Sequence, residues 1–242
     1  MIKPFRLVII ELEDTFRRLE GRVPPPTKVP FEDGFKLRYQ EKTVHQALIQ
    51  KFARLISGLY ALNLLMENGF CQEQGVIQRT LEEIEEDICF LALGTSVKWT
   101  ERHDKYLEYF WEEGPEVGMV RRDKIRAFVH NTCGLDDPSS GNSAARSIFK
   151  TYSGYVHANS IAIVDMCAGD PPVYHLAGMT DNPLYQDHVE DAWNHFYRGL
   201  ASALWMAKAF EDGELWQDRY QSLKRFEAAF GEKIFPVSGA GQ

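Results

Sequence analysis

Two long apolar stripes joined by a short link constrain this chain more than any other feature. Across residues 41–67, Val44, Leu48, Phe52, Leu55, Leu59, Leu62 and Met66 recur at steps of three and four. That is the period of one helix face. Asn68-Gly69 ends the stretch, since a helix C-terminus favours residues that tolerate left-handed backbone. A second stripe, Ile77, Leu81, Ile84, Ile88 and Leu91, predicts a helix from about Glu73 to Leu93. So short a link makes the two helices antiparallel neighbours.

The rest of the chain adds helices and no sustained strand. ELEDTFRRLE suits a helix over Leu7–Leu19, and GRVPPPTKVP stops it. Three consecutive prolines remove donors and fix φ, so residues 21–35 are expected to be an extended connector. Aromatic-rich helices are expected over about 99–113 and 120–132, separated by Gly114-Pro115. LDDPSSGNS, 135–143, is a loop by composition, and Asn142 or Ser143 would cap the helix that follows. Long helices over 184–211 and 213–230 complete the pattern, and the tail 236–242 is expected to be mobile. Before these two helices CAGDPPVYHLAGM fits a short β-hairpin or extended excursion near 170–180. The expectation is an all-α, single-domain bundle of about seven helices with its core over 40–230.

Composition narrows the function classes. Net charge is −8, which disfavours RNA as a partner without removing a local basic patch. The apolar run Leu7–Ile10 is too short for a signal peptide or a membrane span. Cys71, Cys89, Cys133 and Cys167 form no CxxC pair and have no zinc-finger spacing. Free thiols, a cytoplasmic location and no membrane partner are therefore expected. There is no Walker A sequence, no GxGxxG and no H-E-x-x-H.

Four patterns carry chemistry-bearing residues. In QRTLEEIEED, 78–87, Arg79 and Glu83 are four apart and can meet on a helix. They lie opposite the apolar stripe, so they belong either to a solvated face or to a buried pair in a central helix. In TYSGYVHANS, 151–160, Ser153 and His157 continue a polar stripe that begins with Arg146 and Lys150, behind the anchors Tyr152 and Tyr155. His157 has the chemistry of a general base near neutral pH, or of a structural His tying two helices. In HVEDAWNHF, His188, Asp191 and His195 share a face. The two histidines are about 10 Å apart along the axis and cannot bind one ion together, so no metal and no cofactor is expected. Arg38 to His45 matches the spacing of an R-x4-6-H ribonuclease element, with Tyr39 where a polar residue is usual.

Residues 69–93 followed by TYSGYVHANS resemble a family of uncharacterised bacterial helical proteins, the domain-of-unknown-function family numbered fifty-six seventy-seven. The likeness covers about residues 40–212 and rests on R-x-x-x-E (Arg79, Glu83) and S-x-x-x-H (Ser153, His157, then Ala158). It implies a bundle in which Arg79, Glu83, Ser153 and His157 converge. That family is distantly similar to HEPN-type and abortive-infection proteins, some of which cut RNA; here the Arg and His lie on separate helices, unlike the HEPN pattern.

Three function classes follow. The first is a non-enzymatic or regulatory helical protein with an internal Arg79/Glu83/Ser153/His157 polar network. The second is a HEPN-like, metal-independent ribonuclease or defence effector, with His157 as base and Arg79 or Arg146 holding phosphate charge. The third is a small-molecule binding bundle lined by Trp99, Tyr106, Trp111, Trp193 and Trp205. Small residues at Gly199, Ala203 and Ala207 permit close helix packing, within the chain or across the axis of a homo-oligomer.

Overall fold

The computed structural model describes residues 3–112, 119–133 and 150–230. In chain order these form α1 (Lys3–Glu20), β1 (Thr27–Phe31), β2 (Gly34–Arg38), α2 (Val44–Glu67), α3 (Cys71–Ser96), α4 (Glu101–Trp111) and α5 (Arg122–Thr132). Helical residues 150–156, here α6, then lead to α7 (Ser160–Val164), β3 (Cys167–Ala168), β4 (Val173–Tyr174), α8 (Tyr185–Ala209) and α9 (Gly213–Phe230). The protein is an all-α multi-helix bundle with short β excursions. Among the described residues it has nine helical segments where about seven were expected, one of the additional ones being the separate short α7. The loop 135–143, Gly114-Pro115, Arg146 and the tail 236–242 lie outside the described residues.

The expected α2–α3 hairpin forms, and its ends have identifiable causes. Thr43 and Gln46 make a reciprocal capping box at the start of α2, at 3.2 and 3.0 Å. At its end Gly69 takes φ +72°, Gly69 N–H donates to Met66 O and Phe70 N–H donates to Leu65 O. This is the left-handed stop that only Gly enters freely. A Cβ there would also sit 2.5 Å from Met179 N. The same close approach lets Met179 N–H donate to Gly69 O at 2.9 Å, which ties the segment before α8 onto the α2–α3 link.

The 21–35 connector is corrected in part. Residues 27–38 pair as an antiparallel hairpin, Thr27 opposite Arg38 and Phe31 opposite Gly34. Every position is at least partly exposed, so no apolar alternation marks it in the sequence. Cross-strand cation–π contacts, Lys28 on Phe35 and Lys36 on Phe31, help to hold it. The expected excursion near 170–180 is the β3–β4 hairpin, with Cys167 opposite Tyr174.

α2, α3 and α8 form the centre, with α1 and α9 packed on α8 and α5 packed on α3. Phe5 of α1 stacks on Phe196 of α8 at 4.1 Å. The small-residue face of α8 is used inside the chain. A Cβ on Gly199 would stand 3.0 Å from Leu59 Cδ1 and 3.3 Å from Leu12 Cδ1, and Ala203 and Ala207 are fully buried. Among the described residues no helix is long and apolar enough to cross a membrane.

Candidate functional site

α3 explains where the charge of this fold resides. Its apolar stripe occupies one side, and Glu82, Glu83, Glu85, Glu86 and Asp87 sweep about 200° of the remaining circumference at 100° per residue. On a helix with one free face most of these would be solvated. α3 instead has α2, α5 and α8 packed around it. Glu82, Glu85 and Asp87 are therefore 2%, 4% and 0% exposed.

Burying a carboxylate is costly unless a cation and hydrogen bonds accompany it. The neighbouring helices supply them. Arg122 of α5 grips Asp87 in a bidentate fork, Nη1 to Oδ1 at 2.5 Å and Nη2 to Oδ2 at 3.3 Å. Lys51 of α2 donates to the same carboxylate at 2.7 Å. Arg126, one turn further along α5, donates Nε–H to Glu86 at 2.5 Å. From α8, Arg198 Nε lies 2.8 Å from Glu85 Oε2, and the fully buried His195 Nδ1 lies 3.5 Å from Glu85 Oε1. Arg79 pairs with Glu83 at 2.6 Å, and Glu83 O accepts from Arg122 at 3.2 Å. Glu83, Glu85, Glu86 and Asp87 thus face Lys51, Arg79, Arg122, Arg126 and Arg198, cations drawn from α2, α3, α5 and α8.

Glu85 and Glu82 are incompletely satisfied: both oxygens of Glu85 are buried without a hydrogen-bond partner despite the nearby Arg198, and no cation pairs with Glu82. Glu82 forms no salt bridge or hydrogen bond among the described residues, and its Oε2 is buried without a partner. Burial pushes its carboxyl up to about 7, against the pull of Arg198. Burial also raises Glu86, opposed by the Arg126 hydrogen bond. Tyr152 of α6 closes this region. It is 5% exposed, its ring is 5.7 Å from His195, and burial holds its hydroxyl far above the ordinary tyrosine range.

The four residues singled out by motif separate into two places. Arg79 and Glu83 meet as the spacing requires, and they belong to the α3 network rather than to a solvated face. Ser153 is half-buried and His157 is exposed. Among the described residues no hydrogen bond or ion pair links either one to Arg79 or Glu83. The reason is local. TYSGYVHANS is a helix end followed by a helix start. Asn159 N–H donates to Gly154 O and Ala158 N–H to Tyr155 O, with Ala158 at φ 48°. His157 thus stands at the end of α6, turned outward, and Asn159 Oδ1 accepts from Ala162 N–H to cap α7 at 2.9 Å. Gly154 is bare because a Cβ there would sit 2.7 Å from Asn159 Nδ2. Tyr152 and Tyr155 are the anchors, Tyr155 lying directly on Gly75 of α3.

The other patterns are absorbed by packing. His188 is nearly buried, with its ring edge-on to Tyr155 at 6.1 Å, and burial lowers its imidazole below the usual range. Burial raises the Asp191 carboxyl. Among the described residues no three His, Cys, Asp or Glu side chains are placed to hold a metal ion. His45 Nε2 lies 3.0 Å from Ala209 O and its ring packs edge-on to Phe210, while Arg38 donates to Leu37 O. Of the five aromatics proposed as a pocket lining, Trp111 borders an open groove of about 910 Å³ beside β2 and Tyr39. Tyr106 is core, Trp193 and Trp205 pack against the core, and Trp99 bonds Asp104.

Lys51, Arg122, Arg126 and Arg198 escaped the sequence reading, and His195 was read only as part of a candidate metal-binding face. One signal was available: the carboxylates crowded between Glu82 and Asp87, beside an apolar stripe, need cations from elsewhere in the chain. No protein-family model matches the chain, no curated protein matches it, and no solved structure matches it. The likeness of residues 40–212 to the family named above therefore rests on its own motif residues.

Proposed function

We propose that this protein is a non-enzymatic, regulatory helical scaffold of the cytoplasm, and that its internal ion network holds the helices in one register. The network differs in membership from the one expected from motifs: Arg79 and Glu83 belong to it, and Ser153 and His157 do not. The observation that carries this reading is the matching of α3 carboxylates to cations of α2, α5 and α8 in the interior of the bundle. A ribonuclease needs a cation free to take phosphate charge beside an accessible base. Arg79 has Glu83 at 2.6 Å, and the exposed His157 has no side-chain hydrogen bond among the described residues.

The test is incubation of the purified chain with single-stranded and hairpin RNA, followed by denaturing gels. Wild type, His157→Ala and Arg79→Ala are expected to leave the RNA intact. Cleavage by wild type that disappears in His157→Ala would replace the scaffold reading with the nuclease one.

A further inference from the structure

Two surfaces of exposed apolar side chains lie at opposite ends of α2. The β1–β2 hairpin stands at its N-terminal end, where Gln46 Nε2 donates to Pro24 O at 3.2 Å. The stretch from α7 to β4 stands at its C-terminal end. There Met179 N–H donates to Gly69 O at 2.9 Å, and Gln72 Nε2 donates to Ala162 O of α7 at 2.6 Å. α2 has 24 residues, so at 1.5 Å per residue its ends are about 36 Å apart. Neither surface can cover the other within one chain.

The hairpin has one face in need of a partner. Lys28 is opposite Leu37 and Pro30 is opposite Phe35, and cross-strand partners project to the same face. All four are exposed, Phe35 at 55% and Leu37 at 54%. The other face carries the half-buried Val29, Lys36 and Arg38. A two-stranded hairpin is marginal in water unless an apolar face is packed. At the far end α7 turns Ala162 inward and Ile161 and Val164 outward, Ile161 at 78% exposure, and Leu176 after β4 is 80% exposed. Apolar side chains gathered this way mark an interaction surface. The same part of the chain is acidic. Between Thr151 and Tyr197 there are six Asp or Glu and no Lys or Arg, and Asp170, Asp181 and Asp187 are exposed.

We infer that the outer face of the β1–β2 hairpin of one copy seats on the α7–β4 surface of a second copy. Charge selects this pairing. The chain carries −8 overall, so most contacts between copies are repulsive. A face bearing Lys28 against a segment whose charged residues are all acidic is attractive locally. The apolar parts match as well, with Phe35 and Leu37 on one side and Ile161, Val164 and Leu176 on the other. The small-residue face of α8 is not available for this purpose, since Gly199 already packs on Leu59 and Leu12. The two surfaces are unlike, so the contact is heterologous and leaves one surface of each kind open to a further copy. The inference stands whether or not the chain cleaves RNA, and the two tests fail separately.

The experiment is sedimentation velocity on the purified full chain over a concentration series. Wild type is expected to rise above the single-chain mass of 27.8 kDa as concentration increases. Phe35→Asp alone and Leu176→Asp alone are expected to remain single chains, because each keeps only one half of the contact. An equimolar mixture of the two is expected to regain the mass of two chains, since one supplies an intact α7–β4 surface and the other an intact hairpin. Both side chains are more than half exposed, so the fold should survive, which circular dichroism checks; Ile161→Asp is a second variant of the same surface. Three results overturn the inference. One is a wild type that stays a single chain at its highest soluble concentration, which would give these surfaces to a different protein. Another is a single variant that associates as wild type does, which would mean like surfaces meet. The third is a mixture that remains single chains.

Discussion

Replacing Glu82 by Gln should make the protein more stable at alkaline pH and leave it nearly unchanged in mild acid. Glu82 is buried without a partner, and its carboxyl is pushed from the ordinary 4.5 to about 7. A group whose folded-state pKa is raised binds its proton more tightly when folded. Its contribution is therefore fully present below the unfolded value and is lost as pH rises between about 4.5 and 7. The difference corresponds to about 3 kcal/mol once both states are ionised. Gln carries the shape of the protonated acid and never ionises. Urea unfolding followed by tryptophan fluorescence, at about pH 5 and about pH 8, measures the effect. The variant should gain up to about 3 kcal/mol over wild type at the higher pH and a small fraction of that at the lower one. Glu86 and Asp191 are raised by burial as well, so wild type alone shows their combined slope, and the difference between the two proteins isolates Glu82. Parallel stability of the two proteins across the pH range, or a Glu82→Gln variant less stable than wild type at the higher pH, would refute the reasoning.

Arg122→Met leaves Asp87 fully buried with Lys51 as its remaining close cation, and unfolding free energy should fall by about 3–5 kcal/mol in urea titration; a loss below about 1 kcal/mol would contradict a buried, fork-bound carboxylate. Ala158→Gly should raise the melting temperature. Relief of the left-handed backbone at φ 48° is worth about 1–2 kcal/mol, and the entropy of the more flexible unfolded chain takes back about 0.4–1 kcal/mol. Calorimetry showing a lower melting temperature would mean that the turn after α6 does not depend on that conformation.

What the sequence made legible was whatever is written at helical spacing. Val44 to Met66 and Ile77 to Leu91 lie on α2 and α3, and Asn68-Gly69 is the turn between them, because apolar period and stop signals are local properties. The β1–β2 hairpin was not legible. Its residues are exposed on both faces, so alternation has nothing to bury, and Pro30 argues against a paired strand unless it lies on an edge. The same division holds for the site. Arg79 and Glu83 meet because four residues make one turn. Asp87 and Arg122 meet only because α5 lies along α3, and no spacing within either segment states that. Ser153 and His157 illustrate the reverse error, where a stripe holds only while the helix continues. His157 still donates its N–H to Ser153 O at 3.0 Å, but α6 stops there and the imidazole faces outward.

The ion network is better understood as a means of selecting one packing than as a source of stability. A fully paired buried cluster is roughly neutral against apolar side chains of the same volume, whereas a half-paired one costs several kcal/mol. That asymmetry matters for a helix surrounded on three sides. Sliding α5 along α3 by one turn would bring Arg126 level with Asp87 and carry Arg122 away from it, leaving Glu86 to find another cation. Rotating α8 would withdraw Arg198 from Glu85, whose other close neighbour is His195 at 3.5 Å. An apolar seam of Leu and Ile tolerates such slips at small cost. Charges on all three neighbours penalise each one separately, so the register of α2, α5 and α8 around α3 is set by which cation each carboxylate requires.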